Sequence, residues 1–274
     1  MKTLYISDLD GTLLNSSAEL SEYSKSIINK AAAGGLIFSV ATARTAATVQ
    51  HILKDVTLPI PIVLMNGVSV FDIQSKKYVQ THYMEQSAAE VLLQELNAHP
   101  VSGFIFTLED EVLSTYYERT ETEHSKQFIE ERQKKYYKRF TKLESFNELT
   151  KSKIIYFSVC DTKEALNGLY QVLASTEGLH AEFYRDVYEE GYWYLEVCSA
   201  KASKYNAVQF LRECYGFERV VSFGDNLNDL PMFEASDECY AVENAKPEVK
   251  QKATGIIGAN TQDGVAKFIE QRIH

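Results

Sequence analysis

The alternation of short apolar strands with amphipathic helices is the feature that most restricts how this chain can fold. Apolar segments at 2–7, 36–41 and 59–64 predict strands, and helical periodicity is found at 21–33 and 42–53. Strands linked in this way by helices are typical of a parallel sheet that helices cover on both faces. Because the alternation returns in the C-terminal third, we expect an α/β fold with a doubly wound, Rossmann-like parallel-sheet core.

The middle of the chain interrupts this alternation. Two long polar helices, near 87–98 and 120–135, are predicted there together with several strands. A single core is also near its practical size limit at 274 residues, which favours two domains. We therefore expect a sheet domain formed by residues 1–82 and 199–274, with an α+β domain inserted at 83–198.

Composition excludes several classes of protein. The formal charge of −10 disfavours general binding to nucleic acid or to anionic membranes, since both are polyanions. No segment approaches the ~18 apolar residues of a membrane helix. Asp8 and Asp10 also lie where a secretory signal would need an apolar run, so we expect a cytoplasmic protein without nucleic-acid or membrane partners.

Cysteine and histidine are scattered along the chain. The four cysteines form no CxxC pair, which predicts buried free thiols rather than a disulfide framework or a zinc knuckle. The six histidines form no HExxH or His-x-His motif, so they offer little support for a histidine-based metal site. If the chain is an enzyme, its chemistry is expected to depend on carboxylates, hydroxyls and lysine.

Two carboxylates follow the first predicted strand, where open α/β sheets place their ligand crevice. Asp8 and Asp10 are two residues apart, so on extended backbone they point the same way, and Gly11 permits a sharp turn after them. One can act as a nucleophile and the other can handle a proton. A divalent cation would keep both ionised. The structural alternative is that both aspartates simply stabilise a turn.

Three further features fit this chemistry, and each has a structural alternative. Asp225, in the sequence GDNLND, can complete a hard-cation site, or its loop can cap the helix near Asp229. Thr42 can donate to a phosphoryl oxygen at a helix start, or serve as an ordinary N-cap. Lys204 opens a helix, where a lysine suits the helix dipole poorly. It is therefore either an anion ligand or a solvated surface lysine.

Taken together and in this order, these features resemble a known family. DLDGT at 8–12, then Thr42, Lys204 and GDNLND at 224–229 are similar to the four motifs of the haloacid-dehalogenase-like phosphatase superfamily. Finer features resemble its Cof-like branch (class IIB), namely LMNG at 64–67, TAR at 42–44, LEV at 195–197, ENA at 243–245 and DGVA at 263–266. The sequence departs from that branch at Tyr205 and Asn226, where glycine is common.

The resemblance implies a set of roles. Asp8 would be the nucleophile that forms an aspartyl-phosphate, and Asp10 the general acid and base. Mg²⁺ would be held by the Asp8 carboxylate, the Asp10 backbone carbonyl and Asp225, with Asn226 or Asp229 in support. The phosphoryl oxygens would be bound by Thr42, Lys204 and Asn228. The backbone N–H groups of Leu9 and Ala43 would also donate to them.

The resemblance also bears on the inserted domain. An insertion between the second and third motifs corresponds to a type-2 cap, which is expected to close over the site and select the leaving group. Candidate substrate contacts near the motifs are Arg44, Asn66 and Gly67. Further candidates lie in the last strands of the insert, namely Tyr184, Arg185, Asp186, Tyr188 and Trp193. For any one residue of the insert, a role in the cap's core or surface is the alternative.

The expected activity is Mg²⁺-dependent hydrolysis of a small phosphate ester. Sugar phosphates, flavin mononucleotide, pyridoxal phosphate and nucleotides all remain open as substrates. Phosphoryl transfer or a mutase reaction by the same chemistry is the nearest alternative, and a regulatory module that binds a phosphorylated ligand is another. A monomer or a weak homodimer is expected.

Overall fold

The computed structural model describes residues 1–186 and 191–272, and the chain divides into two compact units. The first unit consists of Met1–Gln80 and Ser203–His274, and the second of Thr81–Ala202. The second unit is thus an insertion into the first. We refer to them as the sheet unit and the inserted unit.

The strands and helices within the described residues follow in chain order. The strands are β1 (Thr3–Ser7), β2 (Ile37–Val40), β3 (Ile62–Leu64), β4 (Ser69–Asp72), β5 (Lys77–Thr81), β6 (Phe104–Glu109), β7 (Val112–Tyr117), β8 (Phe140–Lys142), β9 (Ile154–Thr162), β10 (Leu179–Arg185), β11 (Tyr192–Ser199), β12 (Arg219–Gly224), β13 (Glu238–Val242) and β14 (Gly255–Ile257). The helices are α1 (Glu22–Ala33), α2 (Ala46–Ile52), α3 (Gln86–Ala98), α4 (Glu123–Tyr136), α5 (Lys163–Ser175), α6 (Lys204–Tyr215), α7 (Leu230–Glu234), α8 (Pro247–Lys252) and α9 (Gly264–Glu270).

The sheet unit is built on a parallel sheet in the strand order β14-β13-β12-β1-β2. A parallel bridge between Ala41 and Val63 connects the end of β2 to β3, which continues into a second, three-stranded sheet. β1 lies between β12 and β2, and its Leu4 and Ile6 side chains are fully buried. This arrangement confirms the predicted α/β class with a parallel-sheet core.

Capping residues define the ends of α1 and α6. Ser21 caps α1 by accepting a hydrogen bond from the Ser24 N–H. Ser203 caps α6 in the same way, and Gly216 ends α6 in the left-handed conformation. The predicted start of α6 at Lys204 is confirmed.

One helix start differs from the prediction. α2 begins at Ala46, with Thr45 at its N-cap, so Thr42 lies in the loop between β2 and α2. The helix predicted near Asp229 is α7, which begins at Leu230 after a tight 3-10 turn at Leu227–Asp229. In both places, polar residues before the helix bond within the loop instead of extending the helix.

The inserted unit contains a six-stranded sheet in the order β10-β11-β9-β6-β7-β8, antiparallel except between β7 and β8. Its core includes buried residues of α3, α5 and the facing side of the sheet. α3 and α4 correspond to the two predicted helices of the insert. α5 was not predicted, although Leu166, Leu169 and Leu173 recur at helical spacing and are buried. β7, which pairs with β6, was not predicted either.

Two general expectations can be compared with the structure. Among the described residues, no helix is long and apolar enough to cross a membrane. The expectation of buried thiols is correct for Cys160, Cys198 and Cys239 but wrong for Cys214, which lies on the exposed side of α6. The buried residues of α6 lie on one face of the helix, and Cys214 falls outside it.

Candidate active site

Asp8 lies directly after β1, at the carboxyl end of the parallel sheet. Its backbone N–H donates to the Phe223 carbonyl of β12 at 3.0 Å, so two neighbouring strands fix its position. The Asp8 side chain is 8% exposed, and Leu9 is fully buried. The central strand pairing therefore holds one carboxylate in a nearly enclosed position.

The turn after Asp8 wraps around Asp225. Gly11 has φ +78°, and a Cβ at this position would lie 2.5 Å from Oδ2 of Asp225. The Thr12 hydroxyl donates to Oδ1 of Asp225 at 2.7 Å, and the Asn244 amide donates to the Gly11 carbonyl at 2.7 Å. Glycine is thus needed here both for its backbone conformation and for the close approach. Thr12 is not among the predicted site residues, although it belongs to the DLDGT motif.

Lys204 joins two buried carboxylates. Its Nζ donates to Oδ1 of Asp8 and to Oδ1 of Asp229, both at 2.7 Å, and its side chain is 1% exposed. Lys204 is therefore not a solvated surface lysine. The first residue of α6 brings a fixed positive charge to the carboxyl end of β1.

Asp229 organises the loop that follows β12. Its Oδ2 accepts the backbone N–H groups of Asp225 at 2.9 Å and Asn226 at 3.0 Å, while the Asn226 side chain accepts the Leu227 N–H. A Cβ on Gly224 would come within 2.6 Å of the Asp229 Cβ. The loop is thus a capped turn, as the structural alternative proposed, and the same capping carboxylate also binds Lys204.

Burial controls the electrostatics of this cluster. It raises the pKa of Asp8 well above its ordinary value, although the Lys204 ammonium partly opposes this effect. Burial also raises the pKa of Asp225 to about 6, although the hydrogen bond from Thr12 acts to lower that pKa. Burial acts to lower the pKa of Lys204, but Asp229 and Asp8 outweigh it and raise that pKa. An added cation would favour the ionised form of both aspartates.

The donor set fits a hard divalent cation. Asp8, Asp225 and Asp229 can each offer a carboxylate oxygen, and the three oxygens lie within 4.8 Å of one another. Carboxylate oxygens are the ligands that Mg²⁺ prefers in proteins. Asp229 already binds one ammonium and two backbone N–H groups, which leaves Asp8 and Asp225 as the carboxylates better placed to hold the ion.

Asp10 and Arg44 form an ion pair beside this cluster. Arg44 Nε donates to Oδ2 of Asp10 at 2.6 Å, and Arg44 Nη2 donates to Oδ1 at 2.5 Å. The Asp10 side chain is 49% exposed, whereas Asp8 is buried. Thr42 is fully buried, its hydroxyl accepts the Arg44 N–H at 3.2 Å, and Ala43 between them is exposed. Nothing in the sequence pattern pointed to the pairing of Asp10 with Arg44.

The loop after β3 completes this end of the sheet. Asn66 and Gly67 both have positive φ, and a Cβ on Gly67 would overlap the Ser203 carbonyl just before Lys204. The Asn66 N–H donates to the Thr42 carbonyl at 3.0 Å. Asn228 donates from its side-chain amide to Oδ1 of Asn66 at 3.1 Å. Contacts among the predicted motif residues thus join the loops after β1, β2, β3 and β12, together with Lys204 at the start of α6.

The remaining candidates belong to the inserted unit. Tyr184 and Arg185 are exposed at the end of β10, and Tyr184 stacks on Tyr194 with ring centroids 5.6 Å apart. Trp193 points to the other side of the sheet, where it packs on Phe183. Tyr188 lies outside the described residues.

Comparison with known proteins identifies the family and the fold of the chain. The profile of the haloacid dehalogenase-like hydrolases matches residues 5–269. A crystal structure from Thermotoga maritima shares 25% identity and superposes with a TM-score of 0.79, covering 99% of this chain and 97% of that one. A haloacid dehalogenase-like hydrolase from Bacteroides thetaiotaomicron has the same fold, with a TM-score of 0.81, 21% identity and coverage of 99% and 100%.

Relatives of assigned function match this chain over nearly its full length. A 5-amino-6-(5-phospho-D-ribitylamino)uracil phosphatase of Bacillus subtilis is 26% identical over 99% of this chain and 98% of its own. A pyridoxal phosphate phosphatase of Escherichia coli is 25% identical over 96% and 95%. The chain belongs to the haloacid dehalogenase-like hydrolase family. The predicted resemblance and enzyme class are thus confirmed, since these relatives are named phosphatases.

Proposed function

We propose that this protein is a Mg²⁺-dependent phosphatase that hydrolyses small phosphate monoesters through an aspartyl-phosphate on Asp8. The observation that carries the proposal is the buried arrangement of Asp8, Lys204 and Asp229, with Asp225 beside it. A binding module would need no enclosed nucleophile, whereas covalent phosphoryl transfer requires one. In this proposal the sheet unit is the catalytic core and the inserted unit is its cap domain.

The substrate's phosphoryl group would be held mainly by positive charge and hydrogen-bond donors. The Lys204 ammonium and the Thr42 hydroxyl are buried donors. The backbone N–H groups of Leu9 and Ala43 directly follow Asp8 and Thr42 in the chain. Donors placed in advance stabilise the charge that spreads over the equatorial oxygens in the transition state. Mg²⁺ held by Asp8 and Asp225 would neutralise the repulsion between carboxylate and phosphate.

The reaction would proceed in two displacements. An Asp8 carboxylate oxygen attacks phosphorus, the bond to the ester oxygen breaks, and Asp10 supplies a proton to the leaving oxygen. Asp10, now ionised, then takes a proton from water, whose oxygen attacks the same phosphorus and releases inorganic phosphate and free Asp8. Arg44 binds both oxygens of Asp10 and thereby holds this carboxyl in a defined position.

The substrate class follows in part from the relatives. One is named for a phosphorylated ribitylaminouracil and another for pyridoxal phosphate, both small phosphate esters. We propose that this enzyme also acts on a small phosphorylated metabolite, among sugar phosphates, flavin mononucleotide, pyridoxal phosphate and nucleotides. Tyr184 and Arg185 are candidate contacts to the leaving group.

The first experiment is phosphate release from a simple aryl phosphate, measured with Mg²⁺, with EDTA, and with the Asp8→Asn variant. We expect release that requires both the metal and Asp8. Asp55→Asn is the matched control, because it removes an exposed carboxylate of the same unit and should leave the rate unchanged.

A cap can exclude an artificial substrate, so the same three conditions are then applied to a panel of phosphorylated metabolites. Hydrolysis that continues at the parent rate in Asp8→Asn would exclude the aspartyl-phosphate mechanism. Tight binding of a phosphorylated ligand without turnover in Mg²⁺ would instead support the regulatory module. Transfer to an added sugar hydroxyl would identify a phosphotransferase.

A further inference from the structure

A second group of chemically reactive side chains lies within the inserted unit. His124, Cys160 and Asp186 can each offer one ligand atom, and the three atoms lie within 4.8 Å of one another. They come from three separate elements, since His124 is near the start of α4, Cys160 is on β9 and Asp186 follows β10. The chemistry proposed for Asp8 makes no use of them.

The backbone fixes two of these residues on one face of the sheet. Phe157 and Val159 of β9 belong to the core shared with α3 and α5, so Cys160 points to the opposite face. Cys160 pairs with Tyr194 across β9 and β11, and the Asp186 N–H donates to the Tyr192 carbonyl at 2.9 Å. Cys160 and Asp186 are both buried, with exposures of 5% and 7%.

Aromatic side chains orient the third residue. The His124 ring lies near Tyr192 and Tyr194, with ring centroids at 6.2 Å and 5.6 Å. Its Nε2 is 3.0 Å from the Tyr194 hydroxyl. A hydrogen-bonded neighbour that fixes the ring in this way is common around metal-binding histidines.

We propose that His124, Cys160 and Asp186 form a binding site for a transition-metal ion of the Zn²⁺ class. A thiolate, an imidazole and a carboxylate together suit Zn²⁺ and Co²⁺, whereas Mg²⁺ prefers oxygen ligands alone. Three protein ligands leave one position of a tetrahedral ion for water. The ion would tie the start of α4 to the sheet, and α4 otherwise buries only Ser125 completely.

The test is a Co²⁺ titration of the full-length protein after EDTA treatment and reduction with a phosphine. Bound Co²⁺ with a thiolate ligand shows sulfur-to-metal charge-transfer absorption in the near ultraviolet, and an oxygen site around Asp8 cannot produce it. We expect this absorption in the parent protein, its loss in Cys160→Ser and His124→Ala, and its displacement by Zn²⁺. Cys198→Ser is the matched control, as a second buried cysteine of the same unit, and should retain the absorption.

Two further measurements make the result decisive. Asp8→Asn should retain the absorption, which separates this site from the proposed catalytic one. Zn²⁺ should raise the thermal unfolding temperature of the parent but not of His124→Ala, a variant that removes no buried apolar group. Absence of thiolate absorption in the parent, or its persistence in Cys160→Ser, would overturn the proposal.

Discussion

Lys204 and Asp229 form a buried ion pair, with 2.7 Å between Nζ and Oδ1 and side-chain exposures of 1% and 0%. Lys204 begins α6, and Asp229 ends the turn before α7. The pair therefore links the start of α6 to the loop that carries Asp225. Asp8 shares the same ammonium. The positions of the proposed nucleophile and metal ligand thus depend on one lysine.

Removal of the Asp229 carboxylate should therefore destabilise the fold. Asp229→Ala removes one of the two carboxylates that bind the buried Lys204 ammonium and leaves two backbone N–H groups without their acceptor. We therefore expect it to lower the free energy of unfolding by about 3 kcal/mol. Urea denaturation measures this change. Glu22→Gln removes an exposed ion pair with Lys25 and should change stability by less than about 0.5 kcal/mol. Equal effects of the two substitutions would contradict the structural role of the buried pair.

Substitutions at two glycines can distinguish the effect of backbone strain from the effect of a close contact with Asp225. Gly11 and Gly35 both have positive φ, +78° and +87°, but only Gly11 has a neighbour within 4 Å of a built Cβ. Gly35→Ala should cost about 1–2 kcal/mol of stability and leave phosphatase activity unchanged. Gly11→Ala should cost more, and it should also weaken Mg²⁺-dependent activity because the new methyl group displaces Asp225. Activity assays combined with urea denaturation distinguish these effects, and parent-like activity in Gly11→Ala would count against the proposed metal site.

Arg44 should matter for the rate because it holds Asp10 at both oxygens. Arg44→Ala frees the Asp10 side chain, and misplacement of a catalytic group can lower kcat by up to about 10²-fold. Asp10→Asn should lower kcat by about 10²–10⁴-fold. Arg44→Lys should restore little, because lysine cannot form the paired hydrogen bonds. Steady-state kinetics measures each effect, with Arg212→Ala as the control for loss of an arginine pair in the same unit. A parent-like kcat in Arg44→Ala would exclude this role.

The inserted unit should show a pH-dependent stability that originates from Glu196. Burial raises the pKa of this carboxyl from 4.5 to about 7, so the folded state retains a proton that the unfolded state loses. The stabilising effect is complete below pH 4.5 and disappears as the pH rises to about 7. Glu196→Gln should make unfolding free energy less dependent on pH in this window.

Urea denaturation at several pH values, monitored by the fluorescence of Trp193 in the same unit, tests this expectation. Glu164→Gln is the control, because that carboxylate is exposed in the first turn of α5. An unchanged pH profile in Glu196→Gln would show that another group is responsible.

Much of the sheet unit was predictable because its signals are local. An apolar strand followed by polar and glycine residues indicates both the strand and its carboxyl end, so the positions of Asp8 and Asp225 relative to the sheet followed from the sequence. Helix starts were less certain. Thr42 was predicted at a helix start but lies in the loop before α2, because capping side chains compete with the helix for backbone hydrogen bonds. In the inserted unit, the periodicity of α5 was present but was not recognised.

The sequence by itself determined the parallel-sheet class, the order of the motifs and which polar side chains follow which strands, since these depend on hydrophobic periodicity and turn residues. Only the tertiary structure decided the partners. The pairing of Arg44 with Asp10, the sharing of Lys204 by Asp8 and Asp229, and the meeting of His124, Cys160 and Asp186 join residues with no common spacing. Periodicity shows which face of an element is buried. The packing of elements far apart in the chain decides which side chains meet there.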